Sequence, residues 1–193
     1  ASINQAVSIL GLNAVRSLVL SFSFLSMGNK RKKTRFDYEQ FWEHSLVEAA
    51  GTKLILEQIP SADIEEAFTC GLLQNIGQLI FAIAFPKEFD QVLDVLQTQP
   101  PQNGKSSQEQ QILLEQEMIG ITHAEVGYEV ASMWGLPESL LLPIKHHHQP
   151  LQYKGGVQKF SQYVRAAYLS GLLAQIFYSD TPEVFHKQFR TEA

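Results

Sequence analysis

Apolar residues recur every three to four positions along nearly the whole chain, and no long segment alternates between apolar and polar residues. The observed spacing places apolar side chains on one face of an α-helix, whereas alternation would indicate a strand. The pattern therefore predicts an all-α protein. Glycines and prolines that interrupt the spacing mark the expected helix ends, at Gly11, Gly28, Pro60, Gly135 and Pro150.

Two helices are expected before Gly28, followed by a long helix that opens near Asp37 and carries His44. Residues 63–85 form a further apolar stretch, in which Gly71 and Gly77 are expected to bend or divide the helix. A last helix is predicted from about residue 157 to 178. The polar residues 179–193 are expected to form a tail or linker.

Two signals for the N-terminus of a helix lie in the middle of the chain. Ser106 precedes Glu109 by three residues, and Thr122 precedes Glu125 by the same distance. In such a capping box each side chain bonds to the other residue's backbone N–H, so both positions predict helix starts. The second box places His123 in the first turn of its helix.

Composition narrows the class of protein. The chain has 193 residues, of which 45% are hydrophobic and 18% are charged, which favours a folded globular domain over a disordered one. Its single cysteine, Cys70, lies in an apolar run and is expected to be a buried, inert thiol. The uninterrupted apolar runs are far shorter than the roughly 20 residues of a membrane helix, and no signal peptide is evident. We therefore predict a cytoplasmic protein with no membrane contact.

The net charge of −5 argues against a surface that binds polyanions everywhere, but basic residues are concentrated in two places. The first is the segment NKRKKTR, expected to be a solvated loop or a protein-docking patch; binding to nucleic acid is the less favoured alternative. The second lies beside three consecutive histidines and could hold an anion or form an exposed helix end. The possible anion or partner patch takes residues from both places: Lys30, Arg31, Lys32, Lys33, Arg35, Lys145 and His146.

Five of the six histidines lie in or beside predicted core helices, and three of them are consecutive, His146 to His148. Histidine is the commonest protein ligand for metals, and helical bundles can hold a metal when carboxylates join the imidazoles. Taken singly, each of these histidines is more simply a satisfied core or surface side chain.

Four segments carry a family resemblance: FWEHS around His44, AFTCGLLQNIGQLIF, EMIGITHAEVGYEVASMWGLP and IKHHHQP. Their order and approximate spacing are similar to those of the HDOD family, the output-domain relative of the HD and HD-GYP phosphohydrolases. The opening SINQAVSILGLNAVRSLVL also resembles an HDOD segment. The resemblance implies an HD-like multi-helix bundle over residues 1–178, and it implies that N-terminal helices which normally precede this segment are missing.

In active HD enzymes the middle phrase contains a His-Asp pair that binds metal, and here those positions read Gln74 and Asn75. Amides are poor substitutes for such ligands. Other positions match the HD-GYP pattern only in part, and residues 139–179 contain no acid, so we expect the imidazoles to lack a carboxylate partner. The resemblance thus implies no catalytic residue, metal or cofactor. The degenerate site positions are His44, Gln74, Asn75, His123, His147, His148 and Gln149, and the four histidines among them are the only weak metal candidates.

These observations predict a non-catalytic domain similar to the output domains of bacterial signal transduction. It would act through protein–protein interaction, with protein partners or fused signalling domains, and a homodimer is left open. One alternative is a divergent metal-dependent phosphohydrolase that acts on cyclic or other nucleotides. Another is a module that binds nucleotides or nucleic acid.

Overall fold

The structure is a computed structural model that describes residues 34–60, 62–99, 106–178 and 182–192. Throughout these ranges the chain forms helices and turns and no strand, which confirms the all-α prediction. The helices predicted before Gly28 and the basic residues Lys30, Arg31, Lys32 and Lys33 lie outside the described residues. In chain order the α-helices are α1 (Tyr38–Leu56), α2 (Ile64–Leu73), α3 (Ile76–Ala84), α4 (Pro86–Thr98), α5 (Ser107–Met118), α6 (His123–Met133), α7 (Glu138–His146), α8 (Gln158–Tyr178) and α9 (Pro182–Glu192).

The chain divides into two compact units. One comprises Ala1–Asp37 and Ile76–Pro137, and the other comprises Tyr38–Asn75 and Glu138–Ala193. We call them the first and the second unit. Helices α3 to α6 belong to the first unit, and helices α1, α2 and α7 to α9 belong to the second.

In the second unit, α1 packs against α2 and α8, and α8 also contacts α7 and α9. The buried face of α1 carries apolar residues such as Phe41, Ala49 and Leu56. Leu169 and Leu172 of α8 are buried, and partly buried apolar residues from α1, α8 and α9 pack around them. This apolar burial is the main source of the unit's stability.

In the first unit, α3 packs against α6 and α4, and α4 packs against α5. Phe81 and Phe89 are fully buried, with ring centroids 5.5 Å apart, and Phe36 lies 5.7 Å from Phe89. Thr34 donates a hydrogen bond of 2.8 Å to Asp90 and holds the start of the described chain against α4.

The predicted helix starts at both capping boxes and the predicted helix end at Gly135 are confirmed. Both capping boxes form, and Asp63 caps α2 by accepting hydrogen bonds from the backbone of the two glutamates that follow. Gly135 has a φ of +74°, a left-handed conformation that glycine tolerates best, and it follows α6 as predicted.

The expected break at Gly71 or Gly77 was wrong. The helical stretch is interrupted instead by a turn at Gln74 and Asn75, and the two glycines lie inside α2 and α3. A Cβ atom at Gly71 would lie 2.5 Å from the carbonyl oxygen of Glu48. The glycine therefore serves close packing of helices and not helix termination.

Two further predictions concern Cys70 and the polar residues at the end of the chain. Cys70 is fully buried, and burial raises the pKa of its thiol, as expected of an inert cysteine. The residues predicted as a polar tail include helix α9, which contacts α8.

By length and composition alone, Ile64–Ala84 could cross a membrane. More than half of its most apolar window is buried, as in the core helices of soluble proteins, so composition is weak evidence for a membrane helix.

Candidate functional site

The second unit brings several of the predicted site residues together around one carboxylate. Glu48 of α1 is buried, and its two carboxylate oxygens accept hydrogen bonds of 3.0 and 2.9 Å from the side-chain nitrogen of Asn75. The side-chain oxygen of Asn75 lies 3.2 Å from Nε2 of His147. A continuous hydrogen-bonded chain thus joins α1, the turn after α2 and the end of α7. We call it the amide bridge.

The chemistry of the amide bridge fixes the orientation of each group. An ionised carboxylate only accepts hydrogen bonds, so Asn75 must direct its NH₂ group at Glu48 and its oxygen at His147. The other ring nitrogen of His147, Nδ1, lies 2.9 Å from the carbonyl oxygen of Ile144. Because a carbonyl oxygen only accepts hydrogen bonds, the contact with Ile144 uses an N–H on Nδ1, while Nε2 faces the oxygen of Asn75. Both ring nitrogens of His147 therefore contact oxygen atoms within the second unit.

Close packing of α1 and α2 positions the amide bridge. A Cβ atom at Gly71 would lie 2.5 Å from the Glu48 carbonyl oxygen and 2.6 Å from Oγ1 of Thr52, so only glycine allows this approach. Thr52 is buried and donates a hydrogen bond of 2.8 Å to Ser170 of α8. These contacts hold the backbone of α1 beside the turn that carries Asn75.

Gln74, the other residue predicted at the position of a His-Asp pair, lies at the end of α2 and is only 1% exposed. Neither its side-chain oxygen nor its nitrogen has a hydrogen-bond partner among the residues that the structure describes. A buried polar group without a partner costs about 1–3 kcal/mol, unless water or a ligand supplies the missing bonds.

His44 lies on α1, one helical turn before Glu48, and is half-buried. Its ring stacks on that of Tyr178, with a centroid separation of 3.9 Å and an interplanar angle of 29°. Its Nε2 atom is buried and has no hydrogen-bond partner within the described part of the chain. Burial lowers the pKa of His44, although the nearby charge of Glu43 opposes this shift. The imidazole is therefore neutral at pH 7.

The remaining residues at the end of α7 are more accessible. His148 is half-buried, and its ring centroid lies 3.9 Å from that of His147. Gln149 and Lys145 are exposed. The pKa of His146 is lowered, mainly by burial and further by the adjacent charge of Lys145.

His123 belongs to the first unit and lies at the start of α6, as predicted. Its backbone nitrogen and its Nδ1 atom both contact Oε2 of Glu115 on α5, at 2.8 and 2.7 Å, and both residues are almost completely buried. Gln111 donates a further hydrogen bond of 2.8 Å to Glu115. Gly77 of α3 approaches so closely that a Cβ atom there would lie 1.8 Å from the carbonyl oxygen of His123.

The expectation that the imidazoles lack a carboxylate partner was wrong. His123 contacts Glu115 directly, and His147 reaches Glu48 through Asn75. A partner acid was expected only after the paired histidines and in residues 139–179. A usable signal was available in α1, because Glu48 falls on the same helical face as the buried residues Phe41 and Thr52.

Among the described residues of the predicted patch, Arg35 pairs with an acid: its side chain lies 2.5 Å from Asp94 in the first unit. In the second unit, Lys159, which lies outside the predicted patch, donates a hydrogen bond of 2.8 Å to Glu66, which also accepts one from Ser139. Glu66 therefore offsets the positive charge of Lys159.

Comparison with known proteins agrees with this architecture. A crystal structure of the MmoQ response regulator from Methylococcus capsulatus str. Bath matches with a TM-score of 0.66 and 27% identity, over 98% of this chain and 71% of that one. A crystal structure of an HDOD domain protein of unknown function from Geobacter sulfurreducens matches with a TM-score of 0.64 and 24% identity, over 91% of this chain and 55% of that one.

A curated relative is an uncharacterized protein of Treponema pallidum (strain Nichols), 26% identical over 167 residues. The match covers 79% of this chain and 28% of the relative, so this chain spans well under half of that protein's length. The family model described as HDOD domain matches residues 1–150. Together with the helical fold, this match confirms the family predicted from the four sequence segments. The chain belongs to the HDOD domain family.

Proposed function

We propose that this chain is a non-catalytic regulatory domain of signal transduction that acts through protein–protein interaction. The observation that carries the proposal is the amide bridge, in which Asn75 joins the carboxylate of Glu48 to the imidazole of His147. An amide occupies the position between two groups that would otherwise be available to a cation.

A metal-dependent phosphohydrolase needs imidazole lone pairs and carboxylate oxygens directed at its metal ions. In the second unit, Asn75 contacts both oxygens of Glu48, and the ring nitrogens of His147 contact the oxygens of Asn75 and Ile144. Gln74 adds a second neutral amide next to Asn75. With Glu48 and His147 held by Asn75 and a second amide at Gln74, we propose that this unit holds no divalent metal, and we derive no chemical step through one.

One observation favours the phosphohydrolase alternative. A carboxylate bonded to Nδ1 of a histidine, as Glu115 is to His123, is the arrangement that orients histidine ligands in metal sites, because it places the lone pair on Nε2. Metal sites use three or more protein ligands, so this oriented imidazole would need further ligands to form one. The buried contacts between Glu115 and His123 also give the pair a structural role in fixing the start of α6.

The regulatory part of the proposal draws on a relative. The structure that matches over 98% of this chain at 27% identity is described as a response regulator, which is a signal-transduction protein. A domain of this kind passes its signal on by contact, so a binding surface replaces a catalytic site as its functional element.

The test is hydrolysis measured with protein purified without a histidine tag, in the presence of Mn²⁺, Mg²⁺ or Zn²⁺. Substrates are cyclic dinucleotides and nucleoside phosphates, and metal content is measured by mass spectrometry. We expect no turnover and no near-stoichiometric metal. The matched comparison is the double variant Gln74→His/Asn75→Asp, which restores the ligand types of the His-Asp pair. Metal-dependent hydrolysis by the wild type that is lost on His147→Ala would overturn the proposal.

A further inference from the structure

We propose that the exposed face of α1 is a docking surface for a basic amphipathic helix of a partner protein. The inference rests on the proposed function, because a domain that acts by contact needs a surface that recognises its partner. The face is a stripe of exposed residues spaced three or four residues apart along the chain, and this spacing places them on one side of the helix. We call this stripe the α1 strip; it consists of Glu43, Leu46, Ala50 and Leu54 of α1 and of Glu57, whose backbone continues from its end with a hydrogen bond of 2.8 Å to Lys53.

The centre of the α1 strip is apolar although it faces solvent. Leu46 is 54% exposed and Leu54 is 63% exposed, and the small residue Ala50 lies between them. The opposite face of α1 is already packed against α2 and α8. The two leucines are therefore not needed to bury α1 in its own unit. They lie two helical turns apart, which is the spacing at which one helix contacts another.

Acidic residues close both ends of the strip. Glu43 makes no salt bridge with any residue that the structure describes. Glu57 lies 4.0 Å from Lys53, in a pair with both side chains about 40% exposed, and such surface pairs offset charge only weakly. Carboxylates at these positions repel phosphate groups, so lipid headgroups and nucleic acids do not suit this surface.

A second copy of the chain does not suit it either. The strip is symmetric about Ala50, with a leucine four residues away and a glutamate seven residues away on each side. Pairing two copies of α1 in antiparallel fashion would match the leucines but would bring Glu43 of each copy against Glu57 of the other. Like charges in contact across an interface disfavour that assembly.

The complementary occupant carries apolar residues opposite the two leucines and basic residues opposite the two glutamates. An amphipathic helix with leucine at positions i, i+4 and i+8 and lysine beyond each end has this pattern. Its lysines would pair with Glu43 and Glu57 at the rim, while its leucines cover the centre of the strip. Rim charges of this kind set the association rate and its dependence on salt.

The experiment uses a fluorescein-labelled synthetic peptide of that pattern, with a second peptide in which glutamate replaces each lysine. Fluorescence anisotropy measures binding to the whole chain at low and high salt. We expect the lysine peptide to bind at low salt and to bind at least about tenfold more weakly to Leu46→Glu/Leu54→Glu. We also expect about tenfold weaker binding to Glu43→Lys/Glu57→Lys, with a smaller salt dependence. The matched control is Leu113→Glu, because Leu113 is also about half exposed, at 49%, but lies on α5.

Three results would overturn the inference: no binding of the lysine peptide at low salt, equal binding of the glutamate peptide, or an equal loss with Leu113→Glu. A fourth is a wild-type dimer in sedimentation that Leu46→Glu/Leu54→Glu dissociates, which would assign the strip to a second copy. Circular dichroism checks that each variant is folded, and Leu46→Gln/Leu54→Gln replaces the glutamate variant if it is not. The result of the hydrolysis assay does not depend on these binding outcomes. Failure of the docking surface and failure of the proposed function are therefore distinguishable.

Discussion

The side-chain nitrogen of Asn75 lies 3.0 and 2.9 Å from the two carboxylate oxygens of Glu48. One NH₂ group therefore contacts both oxygens of a buried carboxylate, and the same amide directs its oxygen at His147. The amide at this position does more than lack a negative charge. It supplies the donor that a buried glutamate needs.

Asn75→Asp should destabilise the protein most at high pH. The change places a second carboxylate against Glu48 and removes its donor, with an expected loss of about 2–4 kcal/mol in the free energy of unfolding at pH 8. Repulsion raises the carboxyl pKa in the folded state, so the folded variant binds more protons than the unfolded chain. Stability is therefore regained as pH falls through that raised pKa. Urea unfolding at pH 5 and pH 8 measures the difference.

The matched control for this change is Glu48→Gln/Asn75→Asp, which exchanges the positions of amide and carboxylate. We expect it to recover much of the lost stability at pH 8, since one donor again contacts one acceptor. An equal loss at both pH values in the single variant would contradict the account of the amide bridge.

Removing the side chain of Glu115 should unfold or strongly weaken the first unit. Glu115 is completely buried and accepts bonds from both the backbone and the ring of His123, so Glu115→Ala should cost about 3–5 kcal/mol. Glu115→Gln keeps an acceptor and should cost less. Thermal unfolding followed by circular dichroism compares these variants with Glu117→Ala, a change at an exposed position on the same helix. Equal melting temperatures for the alanine variants at 115 and 117 would exclude this role.

Alanine at either close-packed glycine should be severe. The added Cβ would meet backbone atoms at 2.5 Å for Gly71 and at 1.8 Å for Gly77, and backbone cannot move aside as a flexible side chain can. We expect each substitution to cost about 3 kcal/mol or more, or to prevent folding. Gly156→Ala is the control, because a Cβ there meets nothing within 4 Å and the only expected effect is a lower conformational entropy of the unfolded chain. Similar melting temperatures for all three variants would show that the helices separate easily.

His44 should make stability fall in mild acid. Its folded-state pKa is lowered, first by burial and with Glu43 opposing, so the unfolded chain takes up a proton near its ordinary value of 6.5 before the folded chain does. Stability from this residue is complete above pH 6.5 and is lost as pH falls toward the lowered pKa. We expect the decrease between pH 7.5 and pH 5 to be smaller in His44→Gln than in the wild type. Urea unfolding at both pH values checks this, and an unchanged decrease would assign the acid sensitivity to other groups.

Much of the fold could be predicted from local chemistry. The capping boxes at Ser106 and Thr122 involve side chains and backbone within three residues, so sequence spacing identifies them and the structure confirms them. The turn at Gln74 and Asn75 was not found in this way. Glycine is a common helix breaker, but Gly71 and Gly77 are retained here because another backbone approaches them, which is a contact distant in sequence.

The site was predictable in its residue types and not in its connections. Gln74 and Asn75 stood out because amides replaced an expected His-Asp pair. Glu48 and Glu115 did not, because isolated glutamates in helices are usually solvated and sequence does not show which of them is buried. Each becomes important only when folding places an imidazole or an amide against it.

The burial of Cys70 has a practical consequence for measuring motion in this protein. It is the only cysteine, it is fully buried, and burial holds its thiol in the unreactive protonated form. A thiol reagent can therefore modify the native chain only when α2 opens, so the modification rate reports the frequency of that opening. A cysteine introduced on the surface would react far faster, which allows a fluorescent label to be attached at one chosen position without replacing Cys70.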